Sequence, residues 1–288
     1  MTSIQTKSRL MLLSSVCIFG TIGILRRYIP LSSSLIALVR GIVGSIFLLL
    51  VLRLSKKTLD RQAIQKNLLL LALSGTAIGA NWILLFEAYN HTSVATATLC
   101  YYLAPILVIL ASPLVLKETL TVRKAICAMA ALAGMVLVSG VLDTGFSGIA
   151  EMKGILLGLG AAVLYACVVL MNKKISGVPA YDKTILQLSL ASVALLPYVL
   201  VTEDWAAVCF TPLSLTLLLI AGIVHTGIAY WLYFGSMEHL PSHTVALLSY
   251  LDPILAIVLS MVFLREPMSL ASAAGAVLIL GAAYISEK

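Results

Sequence analysis

Two segments of this chain are copies of each other, and the repeat restricts the fold more than any single residue does. Residues 91–118 and 239–266 align without a gap at an offset of 148, and 12 of the 28 aligned positions are identical. Both segments are strongly apolar, yet the shared positions include three pairs that an apolar helix does not require: Tyr102/Tyr250, Pro105/Pro253 and Glu118/Glu266. The repeat therefore indicates a duplicated unit of membrane-type helices.

Composition places this unit in a lipid bilayer. Of the 288 residues, 61% are hydrophobic and 11% are charged, and the mean hydropathy is +1.07. A soluble domain carries about 25% charged residues. Runs of roughly 20 apolar residues are long enough to cross a bilayer, and ten such runs are present: 8–25, 33–53, 68–89, 93–116, 124–142, 154–172, 183–201, 213–235, 242–264 and 269–285. The sequence predicts an all-α integral membrane protein with ten transmembrane helices, whose short loops leave no room for a soluble domain.

The net charge of +7 reports membrane topology and not a nucleic-acid partner. With ten spans, both termini lie on the same side of the membrane. Fourteen of the 19 lysines and arginines then fall on that side and Arg40 falls within a span. Only four fall on the opposite side: Arg26, Arg27, Lys153 and Arg265. Because basic residues accumulate in cytoplasmic loops, we expect a multi-pass protein of the cell (inner) membrane with both termini in the cytoplasm.

The duplication predicts two halves that cross the membrane in opposite directions. Residues 1–145 and residues 150–288 each carry five of the predicted spans, and an odd number of spans forces the second half to enter from the other side. The loop at 53–66 is strongly basic, whereas its counterpart at 202–212 carries Glu203 and Asp204. An inverted repeat of this kind has a pseudo-two-fold axis in the membrane plane, and secondary transporters place their substrate sites at the interface between the repeats.

Particular residues connect the chain to a known family. The relevant positions are an aromatic-Gly pair (Phe19-Gly20), Arg40, residues 86–92, and the paired motifs Ala104-Pro105-Ile106…Lys117-Glu118 and Asp252-Pro253-Ile254…Arg265-Glu266. With these features the chain resembles the drug/metabolite transporter superfamily, and within it the ten-helix EamA-type family. The resemblance covers essentially the whole chain. It implies two inverted five-helix repeats around a central cavity, and export or uptake of amino acids, metabolites or drugs.

One position departs from the family pattern. Members often carry an acidic residue before the proline of the fourth span, where this chain has Ala104. Only the second copy retains the acid, as Asp252, so any role of this carboxylate is expected to be asymmetric.

Four charged or titratable side chains are candidates for proton coupling or charge recognition: Asp252, His225, Glu87 and Arg40. An ionised carboxylate near the bilayer centre costs about 2.5–3.5 kcal/mol on insertion scales, and such groups usually face a cavity, bind a cation or carry a proton. Asp252 is alternatively protonated, or accepts hydrogen bonds from amides freed by Pro253. His225 is either a proton relay or a neutral strut.

Glu87 and Arg40 have similar alternatives. Glu87 contacts substrate or reaches the membrane interface. Arg40 forms a structural ion pair, with Glu87 as a partner at matching depth, or snorkels to the interface or clamps substrate.

Polar and aromatic residues deep in the spans are predicted to bind substrate in the cavity: Asn81, Trp82, Tyr102, Tyr165, Trp231 and Tyr250. Buried tyrosine and tryptophan need hydrogen-bond partners, which a water-filled cavity supplies. The alternative for each is ordinary packing between helices. Pro105 and Pro253 are predicted hinges within their spans, with static kinks as the alternative.

These features together predict a secondary transporter that moves small organic solutes by alternating access. Export is favoured by the resemblance alone, and a facilitative uptake permease of the same fold is the alternative. An intramembrane enzyme acting on a lipid-linked substrate is a weaker alternative, because no clustered acid–base, nucleophile or metal motif is present. We expect no enzymatic activity, no metal and no cofactor. The expected partners are a small-molecule substrate, the lipid bilayer and protons as the coupling ion, and the expected assembly is a monomer or weak homodimer.

Overall fold

The computed structural model is helical throughout the part of the chain that it describes. This part comprises residues 3–22, 25, 28–56, 58–92, 97, 100–139, 149–252, 254, 255, 262 and 270–287, and no strand occurs within it. The helices of the first half are α1 (Ser3–Gly20), α2 (Ser33–Leu54), α3 (Arg61–Lys66), α4 (Leu68–His91), α5 (Ala104–Leu116) and α6 (Val122–Ser139). Those of the second half are α7 (Ile149–Lys174), α8 (Ala180–Thr202), α9 (Pro212–Gly222), α10 (Ala229–Ser236), α11 (Ser242–Ser249) and α12 (Leu270–Glu287).

Five helical stretches are long and apolar enough to cross a membrane, counting only the described residues: Ser33–Leu54, Leu68–Leu85, Met152–Lys174, Ala180–Thr202 and Pro212–Ser236. Two shorter apolar helices cover Ala104–Leu116 and Ala273–Ala282. Large aliphatic side chains such as Leu54, Leu114, Val201 and Leu270 are more than four-fifths exposed on the outside of the bundle. Soluble monomers rarely expose continuous apolar patches of this kind, so the outer surface is suited to lipid.

Local chemistry sets several helix boundaries. The Oγ of Ser32 accepts a hydrogen bond from the amide of Leu35 and thereby caps α2. Thr211 and Ser214 form a reciprocal capping box at the start of α9, and Pro212 occupies the first turn, where its missing N–H is tolerated. The short helix α3 is capped by Asp60, whose Oδ1 accepts from the amide of Ala63.

Three of the predicted spans are not regular α-helices. The fourth contains a turn at Tyr102 and Leu103, and α5 begins only at Ala104. Pro105 therefore lies in the first turn of a helix and not in a helix interior, which corrects its predicted placement and removes the backbone conflict expected there. In the ninth span, α11 ends at Ser249 and Tyr250 forms the corresponding turn. Pro253 lies outside the described residues.

The eighth span contains a π-helical segment, Ile223–Ile228, between α9 and α10. The hydroxyl of Thr226 donates to the carbonyl of Ala221, five residues earlier, as the wider π turn allows. The segment packs closely on α2, since a Cβ added to Gly44 would lie 2.9 Å from the carbonyl oxygen of Gly222.

Helix packing links the two halves extensively. The most extensive contacts join α4 to α7 and α8, α6 to α12, and α2 to α8. Further contacts join α1 to α10, α5 to α7, α5 to α11, and α2 to both α9 and the π-helical segment. The core is one continuous apolar cluster that draws residues from both halves.

Hydrogen bonds between helix ends define the two ends of the bundle. At one end the amide of Asp60 donates to Asp182 Oδ2 (2.9 Å), and the hydroxyl of Ser242 donates to Glu118 Oε1 (2.9 Å). At the other end the hydroxyl of Ser32 donates to Glu203 Oε2 (2.6 Å), and that of Tyr198 donates to Glu87. The loops after α2 and α5 thus lie at one end, and the ends of α4 and α8 lie at the other.

Candidate functional site

Two repeat-related tyrosines and one carboxylate form the centre of the candidate site. The hydroxyl of Tyr102 donates to Asp252 Oδ2 at 2.7 Å, and the hydroxyl of Tyr250 donates to the carbonyl oxygen of Tyr102, also at 2.7 Å. The two rings lie 6.1 Å apart between centroids. Tyr250 is fully buried, whereas Tyr102 and Asp252 are half-buried. The carboxylate is thus held by a hydroxyl and retains accessible surface.

The interrupted spans place these three groups together. Tyr102 lies in the turn before α5 and Tyr250 in the turn after α11, and these two helices pack against each other. The bond from Tyr102 runs to the residue two positions after Tyr250. The equivalent bond from Tyr250 would run to position 104, where alanine offers no acceptor. Tyr250 instead donates to a backbone carbonyl, so the substitution at 104 accounts for the asymmetry.

A continuous series of aromatic rings leads from this centre to the eighth span. Neighbouring rings contact at centroid distances of 5.3–6.4 Å, mostly edge-to-face or tilted, as aromatic pairs prefer. The series is Tyr250, Tyr102, Tyr101, Tyr165, Tyr233, Phe19, Tyr230 and Trp82. It brings together four of the six predicted substrate-binding residues: Trp82, Tyr102, Tyr165 and Tyr250.

Arg40 contacts the far end of this series. Its guanidinium carbon lies 4.6 Å from the ring centroid of Trp82, within cation–π range. The indole Nε1 of Trp82 donates to the hydroxyl of Tyr230 at 3.1 Å. The Nε of Arg40 is buried and has no hydrogen-bond partner. Arg40 is therefore held by an aromatic face and keeps hydrogen-bonding capacity in reserve.

His225 and Asp252 lie on either side of the end of α1. His225 Nε2 is 2.8 Å from Thr21 Oγ1, while Thr21 donates its hydroxyl proton to the carbonyl of Ile18. Next along the chain, a Cβ added to Gly20 would lie 3.5 Å from Asp252 Oδ1 and 3.0 Å from Leu255 Cβ. The absence of a side chain at Gly20 lets α1 approach the carboxylate closely.

Three predicted site residues have other surroundings. Asn81 is buried and donates from Nδ2 to the carbonyl of Ala161 on α7 at 2.6 Å. Trp231 is 37% exposed and contacts Tyr181 edge-to-face on the outer surface of the bundle. Neither residue joins the aromatic series.

The structure also gives Glu87 and Arg40 different partners, because Glu87 accepts from Tyr198 while Arg40 lies over Trp82. The expected ion pair between them is therefore a wrong prediction. The contact with Trp82 occupies the guanidinium instead.

The sequence interpretation missed the roles of Thr21 and Tyr233. A signal was available for one further pair, since Trp82 and Tyr230 are separated by 148 residues, the repeat offset. For Thr21, next to an unremarkable helix end, no comparable signal exists. Within the described residues, no three His, Cys, Asp or Glu side chains form a group that could hold a metal.

Apolar helices with a half-buried carboxylate, a histidine and an arginine among aromatic rings are features of a membrane transporter, and comparison with known proteins identifies the family. The sequence profile of the EamA-like transporter family matches residues 6–140 and again residues 152–287. The chain belongs to the EamA-like transporter family, and its expected membership is confirmed.

Individual relatives agree with this assignment. The uncharacterized transporter YxxF of Bacillus subtilis (strain 168) is 30% identical over 258 residues, covering 86% of this chain and 79% of that protein. Protein PecM of Dickeya dadantii (strain 3937) is 25% identical over 288 residues, with 94% and 89% coverage. A solved crystal structure, described only as that of a protein, has the same fold, with a TM-score of 0.85 at 20% identity over 97% of this chain and 96% of its own.

Proposed function

We propose that this protein is a secondary transporter that moves small organic solutes by alternating access, through a site centred on Tyr102, Tyr250 and Asp252. One observation carries the proposal: two residues contact their own counterparts from the other repeat. Tyr250 bonds to Tyr102, and Trp82 bonds to Tyr230, and each pair is separated by 148 residues. In a two-fold arrangement, only residues on the axis meet their own equivalents.

The packing of the helices supports an inverted repeat of two five-helix halves, residues 1–145 and 150–288. Exchanging the halves converts the contact of α4 with α7 into that of α10 with α1, and the contact of α4 with α8 into that of α2 with α9 and the π-helical segment. The contacts α2–α8, α5–α11 and α6–α12 each convert into themselves. The ten-helix count agrees with this exchange, because every helix in it has a partner.

The axis is also the place where transporters of inverted-repeat type bind substrate, and where the two halves rock against each other. Asp252 and the aromatic series beside it suit an amphipathic solute with a positive or hydrogen-bonding group. Amino acids and related metabolites have this chemistry. Protons are the proposed coupling ion, with Asp252 as the first carrier and His225 as the second, because both flank the end of α1.

The bundle ends support the proposed orientation. The end that contains Asp60, Glu118 and Ser242 also carries the basic loops at 53–66 and 117–124, which the positive-inside rule assigns to the cytoplasm. Both termini then lie in the cytoplasm and the protein in the inner membrane. Export remains the favoured direction on family grounds, and facilitative uptake is the alternative. Neither requires an enzymatic step.

Counterflow in proteoliposomes tests the proposal. Purified protein is reconstituted, loaded with each member of an amino-acid and metabolite panel, and assayed for uptake of the same labelled solute. We expect saturable counterflow for at least one amphipathic solute, and its reduction by at least tenfold in Asp252→Asn. A flux that does not saturate and shows no counterflow would indicate a channel. Retention of a full pH-gradient dependence in Asp252→Asn would exclude Asp252 as the proton carrier.

A further inference from the structure

A narrow slot on the outer surface lies apart from the candidate site, between α6 and α12. It has a volume of about 430 Å³, within the range of small-ligand pockets. Its walls are apolar except at one end, where Arg123 lies. Ile126, Val277 and Ile285 along its rim are all at least half exposed. The slot is therefore open to the hydrocarbon that surrounds the bundle.

The shape of the slot follows from where the two helices touch. They approach most closely at Gly134, where an added Cβ would lie 2.7 Å from the carbonyl oxygen of Gly275. The expected close packing of small residues is confirmed at this pair. Toward the other end the helices are joined by Arg123, whose guanidinium donates to the carbonyl of Ile285. Between these two contacts lies Gly281, and no atom lies within 4 Å of a Cβ placed on it.

Length and charge indicate what fits. From Val277 to Ile285 the helix rises about 12 Å, close to the roughly 15 Å thickness of one hydrocarbon leaflet. Arg123 and Lys124 mark the end that the proposed topology assigns to the cytoplasmic surface. Arg123 uses part of its guanidinium on Ile285, and its remaining donors are on an exposed side chain. Basic sites between helices at this surface attract anionic lipid head groups.

We propose that the slot between α6 and α12 binds one acyl chain of an anionic phospholipid, with Arg123 contacting the phosphate. A second copy of the protein is a poorer fit, because a stable dimer buries about 800 Å² on each partner over a broad face, whereas this feature is a narrow recess with charge at one end. The lipid would join α6 to α12, the last helices of the two halves, and would do so outside the transport pathway.

Two variants test the two parts of this site separately. Gly281→Leu fills the slot without meeting any neighbouring atom, and Arg123→Gln removes the cation at its end. Matched controls are Val193→Leu, which adds bulk on the exposed face of α8, and Arg53→Gln, which removes a cation from the end of α2. Each protein, purified in detergent, is titrated with dioleoyl phosphatidylglycerol or dioleoyl phosphatidylcholine, and bound lipid is counted by native mass spectrometry.

We expect one retained phosphatidylglycerol in the parent protein and in both controls. Arg123→Gln should weaken phosphatidylglycerol about fivefold, as the loss of about 1 kcal/mol per basic residue at a membrane surface implies, and should leave phosphatidylcholine unchanged. Gly281→Leu should weaken both lipids. Unchanged binding in both variants would overturn the proposal, as would the loss of a dimer from Gly281→Leu in place of lipid. Thermal unfolding of each variant separates loss of the site from loss of the fold, and counterflow measured in parallel reports on the transport proposal independently.

Discussion

The indole nitrogen of Trp82 donates a hydrogen bond to the hydroxyl of Tyr230, and the two residues occupy equivalent positions in the two repeats. Both side chains are buried. A buried donor that loses its acceptor costs about 1–3 kcal/mol, whereas removing both partners is nearly neutral. Tyr230→Phe should therefore destabilise more than the double variant Trp82→Phe/Tyr230→Phe does. Chemical unfolding in detergent should give a coupling free energy of about 1 kcal/mol, and additive single effects would contradict the pairing.

The offset of 148 residues explains why part of the site was predictable. Tyr102 and Tyr250 were recognised because their segments are alike, and a residue pair on a two-fold axis is conspicuous once the axis is inferred. Apolar runs likewise gave good helix boundaries, with 33–53 predicted and Ser33–Leu54 observed. Hydrophobic burial and helix length are properties of composition, so a sequence reports them directly.

The faces of the helices were not predictable in the same way. Trp231 was expected in the cavity, but its neighbour Tyr230 has that position. Adjacent residues on a helix point about 100° apart, and a helix that is apolar all round gives no moment to orient it. The π-helical segment Ile223–Ile228 left no clear signal either, because it depends on how Gly222 and Gly227 pack against α2. These features arise from tertiary contacts.

The two central tyrosines should differ in their effect on transport. Tyr102→Phe removes the hydroxyl that holds Asp252, whereas Tyr250→Phe removes a bond to a backbone carbonyl. Hydrogen bonds to charged groups contribute about 1.5–3 kcal/mol and neutral ones about 0.5–1.5 kcal/mol. We expect counterflow to fall about tenfold or more in Tyr102→Phe and about threefold in Tyr250→Phe. Equal effects would show that the asymmetry created by Ala104 has no functional consequence.

Gly20 should be required for contact between α1 and the carboxylate. An added methyl at this position meets Leu255 Cβ at 3.0 Å, and that atom is fixed to the backbone. At Gly160, the matched control, the added methyl meets only the flexible tip of Leu84. Alanine in place of glycine stabilises a helix by about 0.5–1 kcal/mol, while overpacking costs about 1–3 kcal/mol. Gly160→Ala should therefore be neutral or stabilising. Gly20→Ala should destabilise by about 1 kcal/mol and reduce counterflow severalfold.

The comparison is made by thermal unfolding and transport of the same preparations. Wild-type transport in Gly20→Ala would show that α1 does not need to approach Asp252 closely. A loss in both glycine variants would indicate a general intolerance of added volume.

Lys183 and Glu238 provide a test at the proposed cytoplasmic end. The Nζ of Lys183 lies 3.9 Å from Glu238 Oε1, and Lys183 is almost fully buried while Glu238 is about one-third exposed. Removing one partner of a fully buried pair costs about 3–5 kcal/mol because it leaves an uncompensated charge, whereas an exposed pair contributes about 0–1 kcal/mol. This pair combines the two situations, so the order of removal matters. Glu238→Gln strands the lysine inside the protein and should cost about 1–3 kcal/mol. Lys183→Met leaves its partner near solvent, replaces the ammonium with apolar volume, and should cost less. Unfolding free energies in detergent would test this order, and a greater cost for Lys183→Met would show that the lysine stabilises the fold through contacts other than Glu238.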